Sequence, residues 1–267
     1  PGNRTMSLPF RHLAESLRKP DHWLYASWLD VITKYRKNAL GLFWIFFPPT
    51  VYIWGLGAFM GAIQGKQMGS FLAHIGFGFM LFRLMSTMFI EAGATFAAHL
   101  PYIHDGNLRL TDYVLRTLSK ALIHFLFAIP LLALVLVGEA SVSPLGLLFS
   151  FAGLLVVLLN LFFLGVLVAL VGARYPDVND FFGSVMLAVF LITPIVWLAE
   201  AAPADTMHGT LMRANPFHHM LAVVRGPILD EAIEMSTYIY IGAMTVAGVL
   251  ISAFSYSRFA RRVPIWL

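Results

Sequence analysis

The sequence predicts an all-α integral membrane protein with six transmembrane helices and both termini in the cytoplasm. Of its 267 residues, 59% are hydrophobic and only 12% are charged, and the mean hydropathy is +0.77. Several apolar stretches exceed the roughly 18 to 20 residues that a helix needs to cross the hydrocarbon core. These stretches are continuous, whereas the strands of a membrane β-barrel would alternate over segments of about ten residues.

Six apolar segments are long enough to be transmembrane helices. We place these spans near residues 39–63, 71–98, 121–137, 145–171, 181–199 and 236–257. The third is short and contains Pro130, which removes a backbone donor from the helix. Residues 39–257 are therefore predicted to form one six-helix domain between an N-terminal segment, 1–38, and a basic tail, 258–267.

Basic residues predict the orientation of the spans. They concentrate before the first span, between the second and third, between the fourth and fifth, and after the last, whereas the alternate loops contain only Lys66, Arg213 and Arg225. Loops rich in Lys and Arg stay in the cytoplasm, so both termini are predicted there. This topology explains the sequence pI of about 9.4 without nucleic acid as a partner. Residues 1–30 lack a continuous apolar core, so we expect no cleavable signal peptide.

Two segments are predicted to lie at the membrane surface without spanning it. Residues 20–37 place Trp23, Trp28 and Tyr35 among charged and polar residues, which predicts an amphipathic helix in the cytoplasmic interface. Residues 200–235 contain three prolines and are only partly apolar. We expect short re-entrant helices there, between the fifth and sixth spans.

The sequence lacks the motifs of several kinds of active site. It contains no cysteine, no G-x-x-x-x-G-K-[ST] phosphate loop and no G-x-G-x-x-G, so neither a thiolate site nor nucleotide binding by these motifs is expected. Adjacent side chains on a helix point about 100° apart, and we interpret His218 and His219 as an interfacial pair without a metal. The main ionisable residues inside the spans have no recognised catalytic spacing: His74, Arg83, Glu91 and His124.

Three blocks of the sequence match patterns that occur in the same order in one family. DVITKYRKNALGLFWIFFPP fits R-Y-[RK]-x-x-x-L-G-x-x-W-x-x-x-x-P through Tyr35, Arg36, Leu40, Gly41, Trp44 and Pro49. Residues 173–197 fit a cytoplasmic turn followed by a span that ends in T/S-P, and residues 215–229 fit N-P-x-x-x-x-x-x-x-R. Together the blocks resemble the membrane subunits of ABC exporters for polysaccharides such as O-antigen, capsule and teichoic acid chains.

The resemblance implies a permease half-transporter in the bacterial inner membrane, without an ATPase site or a cofactor of its own. Two copies would form a homodimer around a path for a lipid-linked polysaccharide. Two cytoplasmic ATP-binding-cassette subunits would bind ATP and Mg and supply the energy.

Contacts with the ATPase subunits would come from residues 20–36, the 100–115 loop and the 173–180 turn. Asp105, Gly106 and Asn107 are predicted to start a short helix, and Leu108, Leu110 and Tyr113 would then fill a cleft on the partner. A plain cytoplasmic loop is the alternative. The coupling candidates are Asp105, Asn107, Leu108, Arg109, Tyr113, Arg174 and Asp177.

Aromatic residues crowd the first and fifth spans, which line the path in the resembling exporters. Sugar rings stack their C–H faces on aromatic rings, and such contacts tolerate sliding. The candidate wall residues are Trp44, Phe47, Tyr52, Phe59, Phe182, Phe190 and Trp197. The alternative is that these rings face lipid or fill the bundle.

Three basic residues lie directly before the first span. Lys34, Arg36 and Lys37 are predicted to lie at the level of the cytoplasmic headgroups, where they would contact membrane lipids or a pyrophosphate-linked carrier. The alternative is that they only anchor the topology.

A polar stripe is predicted on the second span, where Arg83, Thr87 and Glu91 follow at four-residue steps. Arg83 falls near the membrane midplane, where an arginine must face protein or water. We expect backbone carbonyls freed at Pro130 or Pro194 to bind it; a role facing the cargo is the alternative.

Two other functions remain open from the sequence. The same permease fold would serve an exporter of a drug or small lipid, with a closed apolar pocket between protomers. A membrane-bound enzyme acting on lipid-linked sugars is a more distant alternative, because it would need acids and bases at a shared depth.

Overall fold

The computed structural model describes residues 3–65, 68–106, 108–137 and 142–267, with side chains for all of these except 3–7 and 68. The described residues form helices and no strand, which confirms the predicted helical class. The helices are α1 Asn3–Arg18, α2 Leu24–Arg36, α3 Phe43–Thr50, α4 Gly57–Gln64, α5 Met68–Ala98, α6 Leu100–His104, α7 Leu110–Leu136, α8 Pro144–Arg174, α9 Val178–Ile192, α10 Met207–Ala214, α11 Pro216–Leu229, α12 Met235–Phe259 and α13 Val263–Trp266.

Five helical segments of the described chain are long and apolar enough to cross a membrane, as expected for a multi-pass membrane protein. They are Phe43–Gln64, Gly69–Ala98, Leu110–Leu136, Pro144–Arg174 and Met235–Trp266. The predicted fifth span contains α9, which has only 15 residues. At 1.5 Å per residue α9 covers about 22 Å, less than the roughly 30 Å of hydrocarbon.

The third span starts earlier than the sequence pattern predicts. α7 begins at Leu110 and includes Pro130, whereas we placed the span at 121–137. Arg116 and Lys120 interrupt the apolar pattern, but both are neutralised in the fold: Arg116 pairs with Asp30 of α2, and Lys120 with Glu91 of α5.

Phe43–Gln64, the first long helix, is irregular at its double proline. Pro48 and Pro49 lack the backbone donors that an α-helix needs, and a π-helical turn, Val51–Leu56, follows directly. Such turns often occur at functional positions in helices. The helix is also loosely packed, since 22% of its most apolar stretch is buried, against 72% for α5.

α5 is the central helix, because α3, α4, α7, α8, α9 and α11 all pack on it. α8 approaches α11 so closely that a Cβ at Gly153 would overlap the carbonyl of Val223. The Ser150 hydroxyl, one turn earlier on α8, donates to the carbonyl of Val224 at 2.6 Å. The small residues therefore allow direct backbone contact between these two helices.

The N-terminal helices dock on the first turns of α7 through polar contacts. Arg116 donates twice to Asp30 of α2, at 2.8 and 2.7 Å. Ser16 of α1 shares a buried 2.8 Å hydrogen bond with Thr111, and Tyr35 is buried at the end of α2. The predicted amphipathic segment 20–37 thus packs on the bundle along one face. α1 was not predicted, because residues 3–18 contain no long apolar stretch.

Two short helices, α10 and α11, form within the predicted 200–235 segment. The side chain of Asn215 caps α11 by accepting from the backbone of Phe217, and its amide nitrogen donates to Thr193 just after α9. α11 is largely buried against α8, α5 and α12. The chain after α9 and the chain before α12 are therefore tied together at one end of the bundle.

Candidate functional site

One face of α5 is only partly covered, although most of the helix is buried. Its half-exposed residues recur at intervals of three to four positions through the middle of the helix, which places them on one face. This half-exposed stripe consists of Phe79, Arg83, Ser86, Thr87, Ile90 and Glu91. Four of its six residues are polar, an unusual composition for a helix in an apolar solvent.

The stripe lies between contacts of α5 with the first long helix and contacts of α5 with α9. On one side, the ring of Tyr52 stacks on Phe79 with centroids 3.7 Å apart. On the other side, Phe82 and Phe89 pack against Phe190 and Phe182 of α9, with centroids 5.2 and 5.6 Å apart. We call this space, over the half-exposed stripe and between the two helices, the α5 groove.

Arg83 projects from the middle of the stripe. It lies 15 residues from each end of α5, Met68 and Ala98, which is about 22 Å along the axis. Its guanidinium makes no hydrogen bond or ion pair with any residue that the structure describes, and it interacts electrostatically with Tyr35 and His124. The predicted bonds to carbonyls at Pro130 or Pro194 are absent: the Pro194 carbonyl accepts from Arg225 instead.

Tyr35 and His124 form a polar pair beside Arg83. The Tyr35 hydroxyl lies 3.4 Å from Nε2 of His124, and Nδ1 of His124 lies 2.7 Å from the Lys120 carbonyl. Because a carbonyl only accepts, we assign the proton of the neutral ring to Nδ1. Nε2 is then an acceptor, and Tyr35 is the donor to it.

At the C-terminal end of the predicted polar stripe, Glu91 reaches toward α7. Oε2 of Glu91 lies 2.8 Å from Nζ of Lys120, although the angle is poor for a hydrogen bond. Thr87 lies between Arg83 and Glu91 on the half-exposed face. Arg83, Thr87 and Glu91 lie on one face of α5, and of the three only Glu91 has a charged partner among the residues that the structure describes.

The structure distributes the predicted wall residues over different environments. Tyr52, Phe182 and Phe190 border the α5 groove, as described above. Trp44, Phe47 and Phe59 of the first long helix are exposed and face away from the protein core. Trp197 follows α9 and donates from its ring nitrogen to the Leu191 carbonyl at 3.1 Å.

The three predicted headgroup residues lie at the end of α2, next to Tyr35. Lys34, Arg36 and Lys37 are all exposed. Within the described chain none of them forms an ion pair, and Nζ of Lys34 lies 5.8 Å from the centroid of the Tyr35 ring. Three exposed cations without a described ion-pair partner therefore lie within two residues of Tyr35 along the chain.

The predicted coupling residues lie at the end of the bundle where α1, α6, α7 and α13 meet. Asp105 is exposed in the turn after α6, and no helix starts there: Arg109 precedes α7, and its backbone donates to Asp112. Tyr113 is buried in α7 and so offers no surface to a partner. Asn107 lies outside the described residues.

Two of the remaining coupling candidates line a depression at this end, and two lie elsewhere. Leu108 and Arg109 line a cavity of about 530 Å³, together with Arg261 near the C-terminus. Arg109 also pairs with Glu15 of α1 at 2.8 Å. Arg174 and Asp177 are exposed in the turn between α8 and α9.

A buried ionic cluster near the start of α5 was missed by the sequence analysis. Arg225 of α11 donates from Nε to Glu231 at 2.9 Å and from Nη1 to the Pro194 carbonyl at 2.8 Å. His74 of α5 contacts Glu231 through Nδ1 at 2.7 Å and the Trp197 carbonyl through Nε2 at 3.1 Å. This Arg225 cluster joins α5, α11 and the segment after α9.

The charge balance of the Arg225 cluster favours an ionised Glu231. Burial by itself would raise the pKa of this carboxyl. The charge of Arg225 and the hydrogen bonds from His74 and Arg225 outweigh that effect and lower the pKa to about 2. A sequence signal existed, since His74 and Arg225 are both ionisable residues in apolar surroundings, but no spacing connects them.

His219, the second of the two adjacent histidines, connects α11 to neighbouring segments. His219 contacts Thr237 through Nδ1 at 3.0 Å and the Arg213 carbonyl through Nε2 at 2.8 Å. Its ring also stacks on Tyr240. Among the residues that the structure describes, no group of three potential metal ligands is found.

No protein-family model matches this chain, and no curated protein has a significantly similar sequence.

Proposed function

We propose that this chain is the permease half-transporter of an ATP-driven exporter that moves a lipid-linked polysaccharide across the bacterial inner membrane. In this proposal the chain crosses six times, with α9 and the residues after it forming the fifth crossing. Both termini are cytoplasmic, and α10 and α11 are re-entrant. The observation that carries the proposal is the α5 groove, a polar stripe along the middle of α5 between two helices that carry aromatic rings.

The composition of the α5 groove suits a cargo with both apolar and polar parts. Arg83, Ser86 and Thr87 would be unfavourable against lipid tails and favourable against water or sugar hydroxyls. Tyr52, Phe182 and Phe190 border these polar groups and offer ring faces for stacking. Such a row of rings would let a sugar chain slide along the groove, because stacking depends little on which sugar unit faces which ring.

The open side of the groove supports a dimer. In the single chain, the first long helix leaves most of its surface uncovered, and α9 exposes Phe181, Leu187 and Leu191. A second copy placed against these two helices would close the groove into a path. The two protomers would then contribute equivalent walls, as closed two-fold symmetry requires.

A separate ATPase is the expected source of energy, since the sequence lacks a phosphate loop. The end of the bundle that holds the cavity beside Leu108, Arg109 and Arg261 is the proposed docking surface. Its exposed cations would suit acidic groups on the partner.

The test is transport in vesicles that contain this chain together with its cytoplasmic ATPase subunit. Added ATP should carry a labelled lipid-linked glycan into the vesicle lumen, where externally added glycosidase cannot digest it. Vesicles with an ATPase whose phosphate-loop lysine is replaced should show no protection. The purified chain alone should not hydrolyse ATP.

Two results would contradict the proposal. ATP hydrolysis by the chain alone would exclude a half-transporter that depends on a separate subunit. Transport of a fluorescent short-chain lipid without transport of any lipid-linked glycan would instead support the small-amphiphile exporter.

A further inference from the structure

We infer that Arg83 and Tyr35 form a binding site, within the membrane, for the phosphate group of an anionic amphiphile. The ligand class is a phosphate or diphosphate ester carried on an apolar chain. That this amphiphile is also the exported cargo rests on the proposed function; the site itself does not.

The first argument is the missing partner of Arg83. An arginine near the middle of a membrane helix is costly unless water or a counter-ion compensates its charge. The other charged residues of α5 and α7 do have partners: Glu91 with Lys120, Arg116 with Asp30, and Asp112 with the Arg109 backbone. Arg83 is thus the only lysine or arginine of α5 and α7 whose side chain makes no hydrogen bond or ion pair within the described chain.

The second argument is that the protein offers no spare carboxylate nearby. Glu91 is two turns away on α5 and is bound to Lys120, and Asp30 is bound to Arg116 on the far side of Tyr35. A mobile anion is therefore the natural counter-ion for Arg83. The α5 groove gives it access, since Arg83 is half-exposed there.

The third argument concerns the shape of the anion. A guanidinium presents planar, paired donors that match two oxygens of a phosphate. The Tyr35 hydroxyl adds a third donor if it turns from His124, to which its present bond is long at 3.4 Å. Together with the guanidinium, this hydroxyl would supply three donors, which suit a tetrahedral oxyanion better than a chloride ion.

The fourth argument assigns the anion to an amphiphile. Lys34, Arg36 and Lys37 are exposed at the end of α2, beside Tyr35, and would attract an anionic headgroup from the membrane surface. Beyond Arg83, the stacked pair of Tyr52 and Phe79 provides an apolar wall. An amphiphile whose headgroup binds Arg83 would thus place its apolar chain against the rings of Tyr52 and Phe79 rather than in water.

The experiment measures binding to the purified full chain in an uncharged maltoside detergent, without ATPase or ATP. Isothermal titration calorimetry would compare farnesyl diphosphate, farnesol and inorganic diphosphate. Farnesyl diphosphate should bind at least about tenfold more tightly than either of the other two, because only it supplies both the anion and the chain.

Variants then locate the site. Arg83→Met should weaken the binding of farnesyl diphosphate by at least about tenfold, while Arg83→Lys should weaken it less, because a point charge remains. Arg258→Met is the matched control, since Arg258 is exposed at the end of α12, and its affinity should equal that of the wild type.

A second measurement needs no variant and therefore does not depend on the folding of Arg83→Met. Phenylglyoxal modifies accessible arginines, and mass spectrometry reports the extent at each position. Farnesyl diphosphate should protect Arg83 and leave Arg258 as reactive as before.

Three results would overturn the inference. They are unchanged binding by Arg83→Met, unprotected Arg83 in the wild type, and equally tight binding of inorganic diphosphate, which would indicate a site for a free anion. Binding is measured without transport, so its failure would leave the proposed function open, and failed export with normal binding would contradict the proposed function alone.

Discussion

Two arginines embedded in the bundle have opposite surroundings. Arg225 is 3% exposed and binds both a carboxylate and a backbone carbonyl. Arg83 lies on α5, on which the helix of Arg225 packs. It is half-buried and binds no group of the described chain. The first arginine joins three segments of the fold, whereas the second faces a groove that the single chain leaves open.

The difference indicates which charge the fold needs and which it only tolerates. A buried ion pair contributes little net stability, but removing one partner leaves an uncompensated charge. An unpaired charge such as Arg83 is itself a cost that folding must overcome. Its presence is easier to explain by binding than by stability.

The largest expected effect is that of Arg225→Met on stability. The substitution leaves Glu231 buried without its cation and frees the Pro194 carbonyl, and we expect a loss of about 3 to 5 kcal/mol. Thermal unfolding in detergent, followed by circular dichroism, measures it. Arg11→Met is the control, because Arg11 and Glu15 form an exposed pair with 3.8 Å between charged atoms, and the loss there should stay below about 1 kcal/mol. Equal losses in the two variants would contradict the structural role of Arg225.

An intermediate effect is expected from pH. Because the folded-state pKa of Glu231 is lowered to about 2 from the usual 4.5, its contribution to stability is fully present above about pH 4.5. It is lost as the pH falls toward 2, when protonation leaves Arg225 unpaired. The melting temperature of the wild type should therefore fall more steeply over this range than that of Glu231→Gln. Parallel curves would show that Glu231 has no special role in acid stability.

The smallest expected effect on stability is that of Arg83→Met. No described hydrogen bond or ion pair is lost, and an uncompensated charge is removed. We expect the free energy of unfolding to change by less than about 1 kcal/mol or to rise. The same thermal unfolding measurement applies, side by side with Arg225→Met. A loss comparable to that of Arg225→Met would mean that Arg83 supports the fold.

The helical segments were largely predictable because hydrophobicity is a local property. The predicted spans overlap the five long helices and α9, and the 200–235 segment contains short helices as expected. The errors arose where a contact with a residue distant in the sequence changed the structure that the local sequence pattern predicts. α7 runs through Arg116 and Lys120 because Asp30 and Glu91 neutralise them. The expected helix start at Asp105 is a turn, since the Asp112 side chain caps a helix that begins at Leu110.

The candidate site was predictable only in part. The polar row from Arg83 to Glu91 follows from helical spacing, and so does its place on one face. That Glu91 pairs with Lys120, while Arg83 has no hydrogen bond or ion pair within the described chain, depends on where α7 packs. We expected a carbonyl at Pro194 to bind Arg83, but the Pro194 carbonyl accepts from Arg225 instead, because α11 folds back against the end of α9.

By itself the sequence determined that this protein belongs in a membrane, that it is helical, and approximately where along the chain each apolar helix lies. These properties follow from the length and composition of single segments, since a backbone in hydrocarbon must satisfy its hydrogen bonds within the helix. Only the tertiary structure decided which charges are paired, which rings border the groove and which face of α5 stays open. Those features depend on contacts between residues up to 157 positions apart, such as His74 and Glu231, and no local pattern encodes them.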